Sequence, residues 1–180
     1  MRIKDLYKKE IRPKMKEDFG YKNDMAVPRM EKVTLNIGLG PGLKEPGYKE
    51  AAEKTLVKIT GQKPVYTKAR KSISSFKIRE GMEIGAKVTL RGDRMYDFVE
   101  RLVNVALPRV RDFRGINDTT VDKNGNISIG FTESQAFPEV RPEEIEQILP
   151  LEVTITTTAK SREEGLALFR YMGFPFKNNN

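Results

Sequence analysis

Histidine and cysteine are both absent from the 180 residues, and the two absences close off most of the catalytic repertoire. Without histidine the commonest general base is missing, along with Ser-His and Cys-His pairs and most zinc sites. Without cysteine there is neither a disulfide framework nor a thiolate metal ligand. No apolar run in the chain approaches the roughly 20 residues that a membrane span needs. The opening Met1-Arg2-Ile3-Lys4-Asp5 is charged at once, where a signal peptide would carry an apolar core. Internal repeats and low-complexity tracts are also absent. The expectation is a cytoplasmic protein with no membrane or small-molecule partner, no cofactor and no bound metal.

What the chain has in excess is positive charge. Lys and Arg number 33 against 25 Asp and Glu, a net of +8, and the imbalance is uneven. Residues 1–114 hold 27 basic and 15 acidic side chains, whereas residues 115–180 hold 6 and 10. Such asymmetry points to a part that faces a polyanion and a part that faces something else, such as a basic protein. Apolar content of 38% with 32% charged residues is globular, and the length suits one domain spanning residues 1–180.

Periodicity places the elements. Ile3, Leu6, Tyr7, Ile11 and Met15 recur at helical spacing, so residues 3–18 read as an amphipathic helix that Gly20 stops. Val33, Leu35 and Ile37 alternate with Lys32, Thr34, Asn36 and Gly38, a half-buried strand. Ala52, Leu56 and Ile59 mark a helix from Tyr48 to Thr60, ended by Gly61. Pro64 to Thr67 reads as a short strand, and residues 68–82 as a loop or extended hairpin. Ile84, Ala86, Val88 and Leu90 alternate with Gly85, Lys87, Thr89 and Arg91 in a second half-buried strand. Asp93 is the expected N-cap of a helix through Ala106 that Pro108 stops, before a basic loop from Arg109 to Gly115. Gly125-Asn126 predicts a turn into a strand through Ile127, Ile129 and Phe131, and a helical turn is expected from Pro142 to Ile148. Leu151, Val153 and Ile155 form a last strand, and Ser161 to Glu164 is a capping box opening a helix closed by Gly173 and Pro175. No regular βα repeat emerges. The expected class is α+β, with an antiparallel or mixed sheet, helices packed on one face and a polar sheet surface on the other.

Motifs for catalysis are weak. Gly38-x-Gly40 follows a strand, but Leu43 stands where a dinucleotide loop needs its third glycine, and the sequence GxxxxGK[ST] is missing. Asp93, Asp97 and Glu100 lie at roughly helical spacing and offer magnesium ligands for a nuclease. Arg94 and Arg101 interleave with them, the usual pattern of a solvated helix face.

The nucleic-acid signal is denser. Residues 63–91 carry Lys63, Lys68, Arg70, Lys71, Lys77, Arg79, Lys87 and Arg91 against Glu80 and Glu83, with Ser72, Ser74, Ser75 and Phe76 among them. Phosphates need cations and small polar donors, and unpaired bases need a stacking plane. If the two confident strands share one sheet, Thr34 and Asn36 merge with Lys87, Thr89 and Arg91 into one polar platform. The aromatics and RNP1 motif of an RRM are missing, and no zinc finger or convincing helix-turn-helix appears, so folded RNA fits better than duplex DNA.

The segment TGQKPVYTKARKSISSFKIREGMEIGAKVTLRGDRMYDF, from Thr60 to Phe98, resembles bacterial large-subunit ribosomal protein five, the 5S-rRNA-binding family. So do VPRMEKVTLNIGLG from Val27, LPRVRDFRGIN from Leu107, TTTAKSREEG near the end and the closing GFPFK. The resemblance runs essentially end to end. It implies a structural, non-catalytic constituent of the large ribosomal subunit, with 5S rRNA, large-subunit rRNA, P-site tRNA and a basic small-subunit head protein as partners. Its 5S-contacting positions fall on Asn36, Gln62, Thr89 and Arg91, with Lys63 and Lys87 beside them. The loop holding Ser74, Phe76, Lys77, Arg79, Gly81 and Met82 resembles the family's projection toward transfer RNA. Arg109, Arg111 and Arg114 fall in the region that implies the subunit bridge.

Three other readings are distinguishable from this one. A nonspecific RNA chaperone would show steep salt dependence and little preference among structured RNAs. A nuclease would cleave RNA with magnesium. A pure protein adaptor leaves the basic amino-terminal portion without a purpose.

Overall fold

The computed structural model describes residues 2–40, 45, 47–141 and 149–177. Alternating side chains build its sheet. In β1 (Met30–Gly38) Val33, Leu35 and Ile37 are fully buried and Lys32, Thr34 and Asn36 half-buried. β3 (Glu83–Leu90) repeats the pattern, with Ala86, Val88 and Leu90 inside and Lys87 exposed. With β2 (Val65–Lys68), β4 (Ile127–Phe131) and β5 (Leu151–Thr157) they form a five-stranded sheet in the order β2-β3-β1-β5-β4. Its neighbours run antiparallel. β2 pairs with β3 from Val65↔Lys87 to Lys68↔Glu83. Leu39 N–H bonds Ile84 C=O just past β1, Thr158 N–H bonds Arg29 C=O, and Ser128 meets Thr154 across β4 and β5. The class is α+β, as the periodicity predicts.

The chain divides into two compact units, one of Met1–Val33, Leu90–Ile129 and Thr154–Asn180, the other of Thr34–Thr89 and Gly130–Val153. In the second unit the helix Tyr48–Thr60 forms where the spacing of Ala52, Leu56 and Ile59 predicts it, and ends on Gly61 at φ 67. That helix lies on the apolar side of the sheet, because Tyr66, paired with Ala86, donates its hydroxyl to Glu53 and carries the Lys49 ammonium 4.3 Å from its ring centre. Lys49 also pairs with Glu83. An exposed ion pair contributes about 0–1 kcal/mol. Each fully buried Leu56 or Ile59 contributes roughly 1.5–3 kcal/mol, so apolar burial anchors the helix and the ion pair only orients it.

The first unit holds the remaining helices. The expected helix over residues 3–18 is a chain of three pieces: α1 (Ile3–Leu6), a π-helical turn (Tyr7–Ile11) and α2 (Arg12–Phe19). The later helix is built alike, with α4 (Gly92–Arg101), a π-helical turn (Leu102–Ala106) and α5 (Leu107–Arg109); the Tyr48–Thr60 helix is α3 and Arg162–Tyr171 is α6. The helix therefore runs one residue past Pro108, to Arg109, where the expectation stopped it at the proline. A proline ring clashes with the carbonyl four residues back in an unbroken α-helix, and a turn widened to i→i+5 bonding just before it gives that carbonyl room. Arg12 N–H bonds Tyr7 C=O just ahead of Pro13, and Leu107 N–H bonds Leu102 C=O just ahead of Pro108.

Two expected caps differ as well. The cap of α4 is Arg91 with no side-chain bond, while Asp93 lies one residue inside the helix and pairs with Lys4. At α6, Ser161 Oγ accepts the Glu164 N–H at 3.3 Å, but Glu164 returns to the N–H of Lys160, at 2.8 Å, rather than to that of Ser161. The strand through Ile127 and Phe131 and the last strand both form. The helical turn expected from Pro142 to Ile148 lies outside the described residues. Among the described residues no helix is long and apolar enough to cross a membrane.

Candidate nucleic-acid interface

β1 and β3 are sheet neighbours, so the polar faces read from the sequence do merge. The Leu39–Ile84 bond sets the antiparallel register. It lays Gly38 beside Gly85, Asn36 beside Lys87 and Thr34 beside Thr89. On the other side of β3, Val65 pairs with Lys87 and Thr67 with Gly85. The result is a short grid of amide, hydroxyl and ammonium groups in one unit, backed by the buried row Leu35, Ile37, Ala86 and Val88.

Gln62 joins the grid from the helix side. Gly61 turns the chain out of α3, Thr60 Oγ1 accepts the Gln62 N–H at 3.2 Å, and Gln62 Nε2 donates to the Thr89 carbonyl at 3.5 Å. The Asn36 carboxamide is half-buried and makes no side-chain hydrogen bond among the described residues. An amide in that position keeps both donor and acceptor capacity for a ligand.

Lys63 is not brought together with these groups. Its ammonium stands 3.7 Å from Glu53, the α3 carboxylate that also accepts the Tyr66 hydroxyl. The Tyr66 bond, with lesser help from Lys63, holds the Glu53 carboxyl below its ordinary value, while burial and Glu53 push Tyr66 up to about 12. Lys63 is 80% exposed, a weakly held cation on the α3 side of β2. Arg91 follows β3 directly and lies in the first unit, where its guanidinium faces Glu31.

The segment between β2 and β3 takes the extended-hairpin form, the second of the two readings the sequence left open. Ala69 and Met82 pair at its base, through Ala69 N–H to Met82 C=O at 2.8 Å. Ile73 and Ile78 form an antiparallel bridge that closes a tight tip over Ser74–Phe76, with Lys77 in the left-handed region at φ 56. Phe76 is 69% exposed at that tip, beside exposed Ser74 and Lys77, with Arg79 exposed just past the bridge. Gly81 and Met82 serve the base instead: Gly81 N–H bonds Ala69 C=O, and Met82 Sδ accepts the Arg79 N–H at 3.1 Å.

Arg109, Arg111 and Arg114 are exposed around a turn with Asp112 at φ 54. The closing segment fixes the end of this turn, since Ile116 N–H bonds Pro175 C=O and Lys177 N–H bonds Ile116 C=O. Two of the three carboxylates suggested for magnesium are otherwise engaged. Asp93 pairs with Lys4, and Glu100 Oε2 accepts the Ile3 N–H at 3.3 Å. Sequence reasoning missed Val65, Thr67 and the Gly38–Gly85 pair, although the Val-x-Thr alternation in Val65-Tyr66-Thr67 carried the signal for the first two.

Comparison with known proteins gives a consistent picture. A family model for the C-terminal part of the ribosomal L5 family matches residues 83–176, and one described as "Ribosomal protein L5" matches residues 23–79. The large ribosomal subunit protein uL5 of Syntrophomonas wolfei is 53% identical over 176 residues, covering 98% of this chain and 99% of that protein. That of Alkaliphilus oremlandii is 51% identical over 175 residues, covering 97% and 98%. That of Geotalea uraniireducens is 51% identical over 177 residues, covering 98% and 99%.

Proposed function

From the premise that the chain belongs to the ribosomal protein L5 family, a structural component of the large ribosomal subunit and not an enzyme, we propose that it holds 5S rRNA on the polar face of its sheet. The one observation that carries this reading is the grid itself: Thr34, Asn36, Lys87 and Thr89 side by side over a fully buried apolar row, with the Asn36 amide unengaged among the described residues. Neutral amides and hydroxyls beside a few cations suit ribose hydroxyls, base edges and phosphates of folded RNA. Gln62 completes the set, Lys63 is a peripheral cation, and Arg91, in the other unit, is a further 5S contact that the family resemblance implies. The whole of residues 1–180 acts as one RNA-binding domain in this reading, in the cytoplasm as part of the ribosome and against large-subunit rRNA.

The finer partners follow from the loops. An exposed aromatic at a tight basic tip, Phe76 with Lys77 and then Arg79, supports contact with P-site tRNA through Ser74 to Arg79, with Gly81 and Met82 setting the loop's base. The exposed Arg109, Arg111 and Arg114, in the family's bridge region, support contact near the small-subunit head, where the less basic carboxy-terminal third suits a basic protein partner.

A filter-binding titration against 5S RNA, transfer RNA and an unrelated structured RNA at two salt concentrations tests the main claim. A strong 5S preference that survives the higher salt is expected. Equal binding of all three that fades with salt would leave only a nonspecific basic protein.

A further inference from the structure

Two glycines lie next to each other on the polar face, Gly38 in β1 and Gly85 in β3, and neither has a positive φ. Backbone conformation therefore does not call for glycine at either place. Space does at position 85: a Cβ there would stand 2.6 Å from Thr67 Oγ1 and 3.5 Å from Asn36 Oδ1. The Thr67 hydroxyl occupies the room that a side chain at 85 would take. At Gly38, which is exposed, a Cβ would meet nothing within 4 Å among the described residues. The arrangement is a notch whose open floor is the exposed Gly38, since Gly85 is buried beneath the Thr67 hydroxyl, and it is walled by that hydroxyl and the Asn36 carboxamide. Val65, two residues before Thr67 on the same face of β2, is 64% exposed beside Lys87.

We infer that this notch seats a ribose of the bound RNA and reads its 2′-hydroxyl, making Thr67 a specificity-determining residue for RNA over DNA; the inference rests on the 5S reading above. The chemistry is matched on both sides. A 2′-hydroxyl donates one hydrogen bond and accepts others, and Thr67 Oγ1 and either end of the Asn36 amide can answer both demands. Glycines let a backbone approach a ligand closely. The walls argue for a sugar rather than a phosphate. They are neutral, and the exposed isopropyl of Val65 offers a surface for the C–H face of a ribose. A phosphate seat would gather cations, and among the described residues Lys87 is the one that stands beside the notch, placed for the phosphate next to the sugar.

The test uses the full chain and 5S RNA carrying randomly placed single 2′-deoxy substitutions, partitioned by binding and then read position by position. Wild-type protein is expected to reject 2′-deoxy at one or two adjacent nucleotides by roughly three- to tenfold, the worth of one ordinary hydrogen bond. Thr67→Val, which keeps the shape and removes the hydroxyl, is expected to lose that rejection at the same nucleotides and to bind all-ribose RNA weaker by a similar factor. Thr67→Ser is expected to restore both, which a merely structural role for the threonine would not do. A Thr67→Val protein that rejects the same 2′-deoxy positions as wild type overturns the inference, as does wild-type protein that binds 5S RNA with no 2′-deoxy-sensitive position. Wild-type protein that fails to hold 5S RNA at all sinks the parent reading, and this one with it.

Discussion

The Arg91 guanidinium stands 3.9 Å from the Glu31 carboxylate, with the two side chains 58% and 52% exposed. At that distance and exposure the pair is held loosely, and it contributes about 0–1 kcal/mol. Arg91 is thereby oriented without being consumed. Its five donors stay available to an anion that can displace Glu31.

Arg91→Ala and Asn36→Ala are each expected to weaken 5S RNA binding by roughly 1–3 kcal/mol, the usual cost of a lost polar contact to nucleic acid. Glu31→Gln, which removes the competing carboxylate, is expected to strengthen binding slightly. Titration of the three variants at one fixed salt concentration checks this. Wild-type affinity in both alanine variants would remove these residues from the interface.

Replacing Lys77 and Arg79 together by alanine is expected to spare 5S binding and to weaken transfer-RNA contact. The tip they occupy is closed on itself by the Ile73–Ile78 bridge, so the change leaves the sheet face intact. Parallel titrations with both RNAs separate the outcomes. Loss of 5S binding would contradict the division of labour between loop and sheet.

Gly165→Ala is expected to destabilise the fold, because a Cβ on α6 would overlap the backbone of Gly125, itself at φ 75. The obstacle is backbone and cannot swing aside. Gly130→Ala, whose Cβ would meet nothing within 4 Å among the described residues, is the matched control and should change the thermal midpoint little. For scale, Leu56→Ala at a fully buried site is expected to cost about 2–5 kcal/mol. Thermal or urea unfolding of the three variants provides the comparison.

The pH dependence of stability follows from groups at the two extremes. Burial tends to raise the Asp122 carboxyl, but bonds from the Asn126 and Asn124 N–H groups and the Asn126 side chain outweigh it and hold the value below the ordinary 3.8. The folded chain thus favours the ionised form. The stabilisation is full above the ordinary value and is lost as pH falls through the lowered one. Asp24 beside Lys16 and Asp93 beside Lys4 act in the same direction. Tyr7 acts at the other end. Burial pushes its hydroxyl, bonded to the Pro28 carbonyl, from 10.0 up to about 12, so its contribution is full below 10.0 and is lost as pH rises toward 12. With no histidine in the chain, the thermal midpoint is expected to be flat from about pH 5 to about pH 9. Asp122→Asn should lower that plateau and soften its acid edge, and a midpoint-against-pH series for both proteins reads this directly.

The elements the sequence made legible are those in which burial follows one strict period. Ala52, Leu56 and Ile59 placed α3, and the alternation around Leu35 and Val88 placed β1 and β3, together with the merged polar face that carries the candidate site. The widened turns were not legible, because Ile3, Tyr7, Ile11 and Met15 still fall on one buried face and a one-residue insertion leaves little trace in the pattern. The second of these insertions carries its helix one residue past Pro108, to Arg109. Asp93 read as a cap because local chemistry favours it, and a tertiary partner, Lys4, claimed it instead. Lys63 read as part of a basic run, whereas only the packing of α3 reveals its neighbour Glu53. The Thr67 notch depended on the register of three strands, which no single segment encodes.

Everything proposed for RNA depends on which face of the sheet meets it, and an isotope-labelled chain titrated with 5S RNA and followed by NMR measures that directly. The signals of Thr34, Asn36 with its side-chain amide, Thr67, Lys87 and Thr89 are expected to shift or broaden first, while those of Glu50, Lys54 and Val57 on the outer side of α3 stay in place. Movement of the α3 signals with the sheet-face signals unchanged would contradict the assignment of the polar face as the RNA-binding surface.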